Sequence, residues 1–349
     1  PVVLCGAWHS GVTDYEAFMA ETALAAAALF LGGFLFHARL FRLRPAAEHL
    51  TRYYLAIVTG GAAGGAMFSF AMPLLADRVL EYPVALATVL WMAVRELHPR
   101  MATTVMAAVA AAVAIYGAVR IGNCDGDVLL RRRNFYGTCT VAHRITESGG
   151  IRICEVNEFR CNGTTHGFQA VDGKWKSRIP TVYYAAHAGG MPFEHHPKAV
   201  ANKPMRVGLC GMGIGTLATY SRRGDVFRFF EINPQVAEIA CDESLFSFVS
   251  GAAGKVEAVL GDARRSLEAE RERGEEKYDI LVMDVFNGDS IPTHLATEEA
   301  FRLYLDSLAP GGILAIHLSN WHLDLLPMAK AAARTFNLHI EAFCCNPTR

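Results

Sequence analysis

The stretch Arg206–Pro234, RVGLCGMGIGTLATYSRRGDVFRFFEINP, decides the fold. Val207, Gly208, Leu209 and Cys210 form a short apolar run, which predicts a buried parallel strand. Gly211, Gly213 and Gly215 follow at once, one residue short of the usual dinucleotide spacing, and Thr216–Tyr220 reads as the opening of a helix. Glycines at such a place let the backbone turn tightly and let a ligand approach the main chain. A second apolar strand, Val226–Phe230, ends in Glu231, about twenty residues after the first glycine, where a carboxylate accepts both hydroxyls of a ribose. The pattern predicts a nucleoside-binding site.

Downstream, strands and helices alternate. A helix is expected from about Gln235 to Asp242, then a strand Lys255–Leu260 ending in Gly261-Asp262-Ala263, then a charged helix Arg264–Glu276. A fourth strand, Tyr278–Met283, ends in Asp284; a helix Glu298–Leu308 is stopped by Pro310-Gly311-Gly312; a fifth strand, Ile313–Leu318, runs into Ser319-Asn320. This alternation predicts an α/β doubly wound, Rossmann-like domain over residues 172–349. Ligands of such sheets bind past the carboxyl ends of the strands. The candidate cofactor-binding residues are therefore Gly211, Gly213, Gly215, Glu231 with Ile232, Asp262 with Ala263, and Asp284. The Asp262 carboxylate suits the exocyclic amine of an adenine, and the small Ala263 suits the floor under its ring. Before the first strand of this domain, Tyr183 and Tyr184 stand in the segment Pro180–Met191; read alone, paired tyrosines are packing more often than chemistry.

Upstream, the character changes. Residues 1–121 are expected to be a transmembrane helical region. Thr22–Phe36, extending through Leu40, and Tyr53–Leu75 are long and apolar enough to cross a bilayer, as is Met101–Val119. Arg39, Arg42, Arg44 and Arg52 place the first connection in the cytoplasm, and Arg120 with Arg131, Arg132 and Arg133 mark a cytoplasmic exit. Tyr82–Val94, about thirteen residues, is short for a crossing and is read as interfacial, giving three crossings. The expected location is thus the inner (cell) membrane, multi-pass, with the lipid bilayer as partner and the catalytic domain cytoplasmic. Gly60, Gly61, Gly64 and Gly65 form small-xxx-small pairs that permit close helix packing and a homodimer. Residues 122–171 are expected to be a small antiparallel β-domain with strands Gly137–His143, Ile151–Val156 and Glu158–Cys161 and a turn at Gly149-Gly150. Asn162-Gly163-Thr164 matches a glycosylation acceptor, idle in a cytoplasmic setting.

The 349 residues carry 33 Lys and Arg against 34 Asp and Glu, a balance that argues against a nucleic-acid partner. Mean hydropathy is +0.21, high for a soluble α/β protein, and the excess lies in the first third. The nine cysteines show no CxxC or Cys/His metal spacing, so reduced thiols and no metal are expected. His49, His98, His195 and His196 likewise show no metal spacing. The chain opens on Pro1 rather than Met, so preceding residues are expected, and no signal peptide is read.

With these residues in view, a resemblance stands out. KYDILVMDVFNGDSIPTHLATEEAFRLYLDSLAPGGILAIHLSN, VGLCGMGIGTLATY and FFEINPQVAEIA resemble the spermidine synthase (polyamine aminopropyltransferase) superfamily. HLTRYYLAIVTGGAAGGAMFSFAMP resembles the last membrane helices of its membrane-fused bacterial members, and LLRRRNFYGTCTV and CNGTTHGFQ resemble their β-domain. The resemblance implies attack on the three-carbon arm of decarboxylated S-adenosylmethionine with release of methylthioadenosine and a polyamine as acceptor. It further implies that Gln169 and Tyr184 line the sulfonium and amine channel, Glu231 holds the ribose, Asp262 the adenine, and Asp284 opens the catalytic loop. Two departures bear on the substrate. Ile214 stands where the polyamine synthases carry an Asp in GGGDGG, and Asn287 where they carry the second Asp of DxxD. Asparagine is no general base and isoleucine neutralises no ammonium; Asp289, two residues on, is the carboxylate placed to substitute. Removing both acids also removes a repulsion on the order of several kcal/mol against a carboxylate-bearing substrate. Intact S-adenosylmethionine therefore joins its decarboxylated form as an expected co-substrate. The acceptor is an amine, water, or the substrate's own carboxylate closing to a lactone. The rival readings are a methyltransferase on the same fold and a non-catalytic membrane sensor that binds an adenosyl ligand. An NAD dehydrogenase is the weakest of them, because the glycine spacing is short.

Overall fold

The computed structural model describes residues 2–7, 15–77, 80–81, 84–85, 87–88, 91–92, 104, 127–148, 151–171, 189–285, 292–318 and 323–344. The chain forms two compact units: Pro1–Gly11 with Gly126–Arg132 and Cys139–Arg349, and Val12–Asp125 with Arg133–Thr138.

The first unit is built on a seven-stranded sheet. Its strands are β1 (Val2–Ala7), β6 (Arg206–Cys210), β7 (Val226–Glu231), β8 (Lys255–Leu260), β9 (Tyr278–Met283), β10 (Leu308–His317) and β11 (His339–Cys344). The order is β11-β1-β10-β9-β6-β7-β8, and every recorded pair is parallel. From β6 the order runs outward in both directions, so the switch point of a doubly wound sheet falls between β6 and β9. Both faces are covered, as near-continuous apolar strands demand. Val207, Leu209, Phe227, Phe229, Ile280 and Val282 pack on one side. Cys210, Phe230, Leu281, Met283, Leu314 and Ile316 pack on the other. Phe227, Phe229 and Phe230 are each at most 1% exposed, and burial of such a ring contributes about 2–3 kcal/mol.

The helices α3 (Pro234–Cys241), α4 (Ala263–Arg273), α5 (Glu298–Asp306) and α6 (Leu326–Thr335) connect these strands; the first three sit near their expected bounds, and α6 is a helix the sequence reading did not include. Their starts follow side-chain caps where the sequence offers them: Asn233, Asp262 and Thr297 each accept a backbone N–H. Three expectations need correction. Thr216–Tyr220 is a 3-10 helix of five residues and opens no α-helix. The chain must turn at once into β7, and Asp225, 1% exposed, gathers the N–H groups of Met205 and Arg222 to make that turn. β10 begins at Leu308, paired with Tyr278, and bulges before Ile313, so Pro310-Gly311-Gly312 lie inside the strand. Finally, β1 occupies a place between β10 and β11 that nothing in its short apolar run announced.

A second sheet, of four strands, has the order β2-β3-β4-β5, with β2 at Asp127–Asn134, β3 at Gly137–Ser148, β4 at Ile151–Cys161 and β5 at Thr164–Ala170. The two runs expected at Ile151–Val156 and Glu158–Cys161 are one strand. Asn162 and Gly163, with φ of +52° and +85°, make the tight turn between β4 and β5. This sheet docks on the first through side chains. Asn157 donates to the Leu245 carbonyl at 2.9 Å, and Gln169 exchanges hydrogen bonds with Ser247 at 2.8 and 3.0 Å. Cys139 and Cys161, register partners on β3 and β4, are buried free thiols with sulfurs 3.1 Å apart.

The second unit contains α1 (Tyr15–Arg42) and α2 (Leu50–Ala66). The Tyr53 hydroxyl donates to the Leu40 carbonyl at 2.5 Å and ties their facing ends. Among the described residues one helix, Ala47–Leu75, is long and apolar enough to cross a membrane, and none of its most apolar stretch is buried. Around Gly60, Gly61, Gly64 and Gly65 no described atom beyond the neighbouring residues and the helix's own nearby backbone lies within 4 Å of where a Cβ would stand. The first expected span lies within α1; all of the third, Met101–Val119, except Thr104, and most of Tyr82–Val94 lie outside the described residues.

Candidate active site

Gly211 is where the strand ends converge. Its N–H donates to the Phe230 carbonyl at 2.9 Å, and the Asp284 N–H donates to the Cys210 carbonyl at 2.9 Å, so β6, β7 and β9 stay joined past their last ladder pairs. Gly211 has φ +92°, and a Cβ there would stand 1.9 Å from the Asp284 carbonyl oxygen. Only glycine fits. Gly215, at φ +74°, is closed in by Val249, and Gly213 lies beneath β5, where a Cβ would sit 3.5 Å from the His166 carbonyl oxygen. Ile214 is 1% exposed and packs against Gly167 of β5. The Ile214 side chain is part of the joint between the two sheets.

Glu231 ends β7 directly under this loop and is 7% exposed. One carboxylate oxygen accepts the Met212 N–H at 3.0 Å, and the other accepts the Asn233 N–H at 2.8 Å. Burial pushes its pKa up, against the pull of these hydrogen bonds. Two further lone pairs remain on a carboxylate so held, which is what a pair of ribose hydroxyls requires. Asn233 also caps α3 and donates to the Cys139 sulfur at 3.7 Å, so the acid is braced from the small sheet as well.

Asp262 follows β8 and caps α4, accepting the Arg265 N–H at 3.0 Å, while its other oxygen meets the His294 ring at 2.9 Å. Burial alone would raise this carboxyl, but the Arg265 N–H and the His294 ring hold it below the usual range. Ala263 is buried beside it, and Ile232 is half exposed. Asp284, after β9, is hydrogen-bonded to His317 Nδ1 at 2.9 Å. His317 escaped the sequence reading because it is the last residue of β10, where attention fell on Ser319 and Asn320 beyond it. Its signal was a lone polar residue closing the apolar run Ile313–Ile316.

The structure thus brings Gly211, Gly213, Gly215, Glu231, Asp262, Ala263 and Asp284 to one edge of the sheet, with His317 added. Gln169 is 4% exposed, and both ends of its amide face Ser247. Tyr184, Asn287 and Asp289, like Ser319 and Asn320, lie outside the described residues.

A doubly wound parallel sheet carrying a glycine loop, a buried acid at the end of the second strand and an antiparallel sheet alongside defines the class: a Rossmann-like fold with a candidate nucleoside cradle at its switch point. Comparison with known proteins takes the description one step further. Over 117 residues, 32% of this chain, the sequence is 32% identical to the polyamine aminopropyltransferase of Vibrio vulnificus, and the match spans 37% of that protein's length. Among solved structures the chain is similar to a spermidine synthase from Thermotoga maritima, at 18% identity and TM-score 0.43, with 60% of this chain and 63% of that one covered. It is also similar to an S-adenosylmethionine-dependent methyltransferase from Agrobacterium tumefaciens, at 15% identity and TM-score 0.38, with 57% and 67% covered. No family model matches the chain.

Proposed function

We propose that this protein is a membrane-anchored, spermidine synthase-like transferase. It displaces methylthioadenosine from S-adenosylmethionine or its decarboxylated form by attack on the three-carbon arm. The observation that carries the reading is Glu231: a buried carboxylate at the end of β7, held by two backbone N–H groups under a loop whose first residue, Gly211, leaves no room for a side chain. Kinship of a third of the chain with a polyamine aminopropyltransferase supports the choice of reaction. In this reading Glu231 holds the ribose hydroxyls, Asp262 and Ala263 take the adenine, and the sulfonium lies towards Asp284. The sulfonium has already activated its carbon, so catalysis consists of holding the acceptor in line with the breaking C–S bond. In this reading Tyr184, Asn287 and Asp289 act on the acceptor, as the resemblance implies, and the exposed helix Ala47–Leu75 is the anchor.

The test is to incubate the purified protein with each form of the co-substrate, with and without putrescine, and identify the adenosyl product. Methylthioadenosine is expected. Adenosylhomocysteine in its place would make the protein a methyltransferase, and no turnover with retained binding would make it a sensor.

A further inference from the structure

Pro292 leads into a short 3-10 turn, Thr293–Leu295, that is fastened on both sides. Leu295 is buried, and its carbonyl accepts the Tyr304 hydroxyl of α5 at 2.9 Å. The Arg264 guanidinium of α4 donates to the His294 carbonyl at 2.8 Å. Between these fixed points the His294 side chain is 51% exposed, yet its Nε2 lies 2.9 Å from Asp262 Oδ2. An exposed pair of this kind adds little to stability, so its place matters more than its strength.

That place is the adenine end of the candidate cradle. Asp262 Oδ1 accepts the Arg265 N–H at 3.0 Å while Oδ2 meets His294, so each oxygen has a donor and the carboxylate plane is fixed. Burial would raise this carboxyl, but the same two contacts hold it below its usual range, and an ionised carboxylate is an acceptor only. Leu260, shortly before Asp262 in the chain, is exposed, as is Ile232, which follows Leu260's register partner Glu231. Exposed apolar side chains and an oriented carboxylate suit a flat heteroaromatic ring that carries an exocyclic N–H.

We propose that His294 is the positioning residue that makes this site select adenine over its oxo counterpart, hypoxanthine, an inference that rests on the nucleoside reading of the cradle given above. A carboxylate only accepts, so Nε2 carries the ring proton in this contact. With Arg265 N–H on one oxygen and His294 on the other, Asp262 keeps one orientation and presents its remaining lone pairs to the exocyclic amine. Hypoxanthine brings a carbonyl to the same place. Acceptor then faces acceptor, and the lone pairs of the acid go unmet. Without the imidazole, Asp262 is held by the Arg265 N–H alone and its other oxygen turns to water. The gain from the amine and the penalty against the carbonyl then fade together. His294 acts through Asp262.

The experiment measures, by calorimetry on the full chain, the binding of methylthioadenosine and of methylthioinosine to wild type, His294→Ala and His294→Gln. Wild type is expected to prefer the amino form by about 100-fold. In His294→Ala the affinity for methylthioadenosine should fall about tenfold, while that for methylthioinosine stays within about twofold. A merely loosened fold would weaken both alike. His294→Gln, whose amide can donate to Asp262, should recover most of the preference. A His294→Ala protein with the wild-type preference overturns the role of His294 and leaves the transferase reading intact. Wild type that binds the two nucleosides equally overturns it as well, and wild type that binds neither overturns the nucleoside reading with it.

Discussion

Replacing Gly211 by alanine puts a methyl group where the Asp284 carbonyl already stands, at a backbone φ of +92°. Positive φ alone costs about 1–3 kcal/mol for a side-chain-bearing residue, and the overlap adds to it. Gly211→Ala is expected to lower the melting temperature by several degrees and abolish methylthioadenosine binding, both readable in one thermal-shift titration. Asp262 yields a different kind of prediction. Its carboxyl is held below the usual range, after the cost of burial, by the Arg265 N–H and His294. A depressed folded-state pKa contributes stability that is complete above the unfolded value and disappears as pH falls through the folded one. The difference in melting temperature between wild type and Asp262→Asn should therefore be constant near neutrality and shrink over about pH 5 to 2. A difference that widens in acid would contradict the assignment of those hydrogen bonds.

At the scale of elements, Arg228 on β7 ties three acids from two neighbours. Its guanidinium meets Glu257 of β8 at 2.7 Å, Glu270 of α4 at 2.5 Å and Glu275 just beyond α4 at 2.5 Å. Removing it leaves three carboxylates facing one another, Glu270 among them 5% exposed. Since the arginine is 17% exposed, Arg228→Ala is expected to cost about 2 kcal/mol, less than the loss of a fully buried pair, as a shift in the urea midpoint. Such ties were not legible in the sequence, because charged residues on separate elements show no spacing. The strands were. β8 and β9 end in the apolar runs Ala258–Leu260 and Ile280–Met283, closed by Gly261 and Asp284, and their bounds agree with the reading residue for residue. β10 was read short because Pro310-Gly311-Gly312 has the composition of a stop, yet the segment is a bulge paired through Leu308. The acids and glycines of the candidate site were legible for one physical reason. Each ends or follows a strand, and strand ends are visible. His317 was not, because it closes β10 ahead of Leu318 and so reads as part of the apolar run.

At the scale of the whole molecule, the chain divides into a unit with sheets on a sequestered core and a unit whose helix Ala47–Leu75 buries none of its apolar stretch. An 18-residue apolar window of this kind left in water is costly at about 25 cal/mol per Å² of apolar surface, and a bilayer removes that cost. Now consider where β1 sits. It precedes every helix of the second unit, yet it lies between β10 and β11 in the same sheet as the strands that come after them. A polypeptide that departs from one sheet and rejoins it has to finish on the side of the lipid from which it set out. Under the membrane-anchored reading proposed above, a segment that leaves and rejoins one sheet crosses the bilayer an even number of times. Epitopes inserted ahead of Val2 and after Cys344 should thus be shielded from, or open to, an impermeant protease together in sealed vesicles, and digestion of one without the other would mean that β1 does not hold its place.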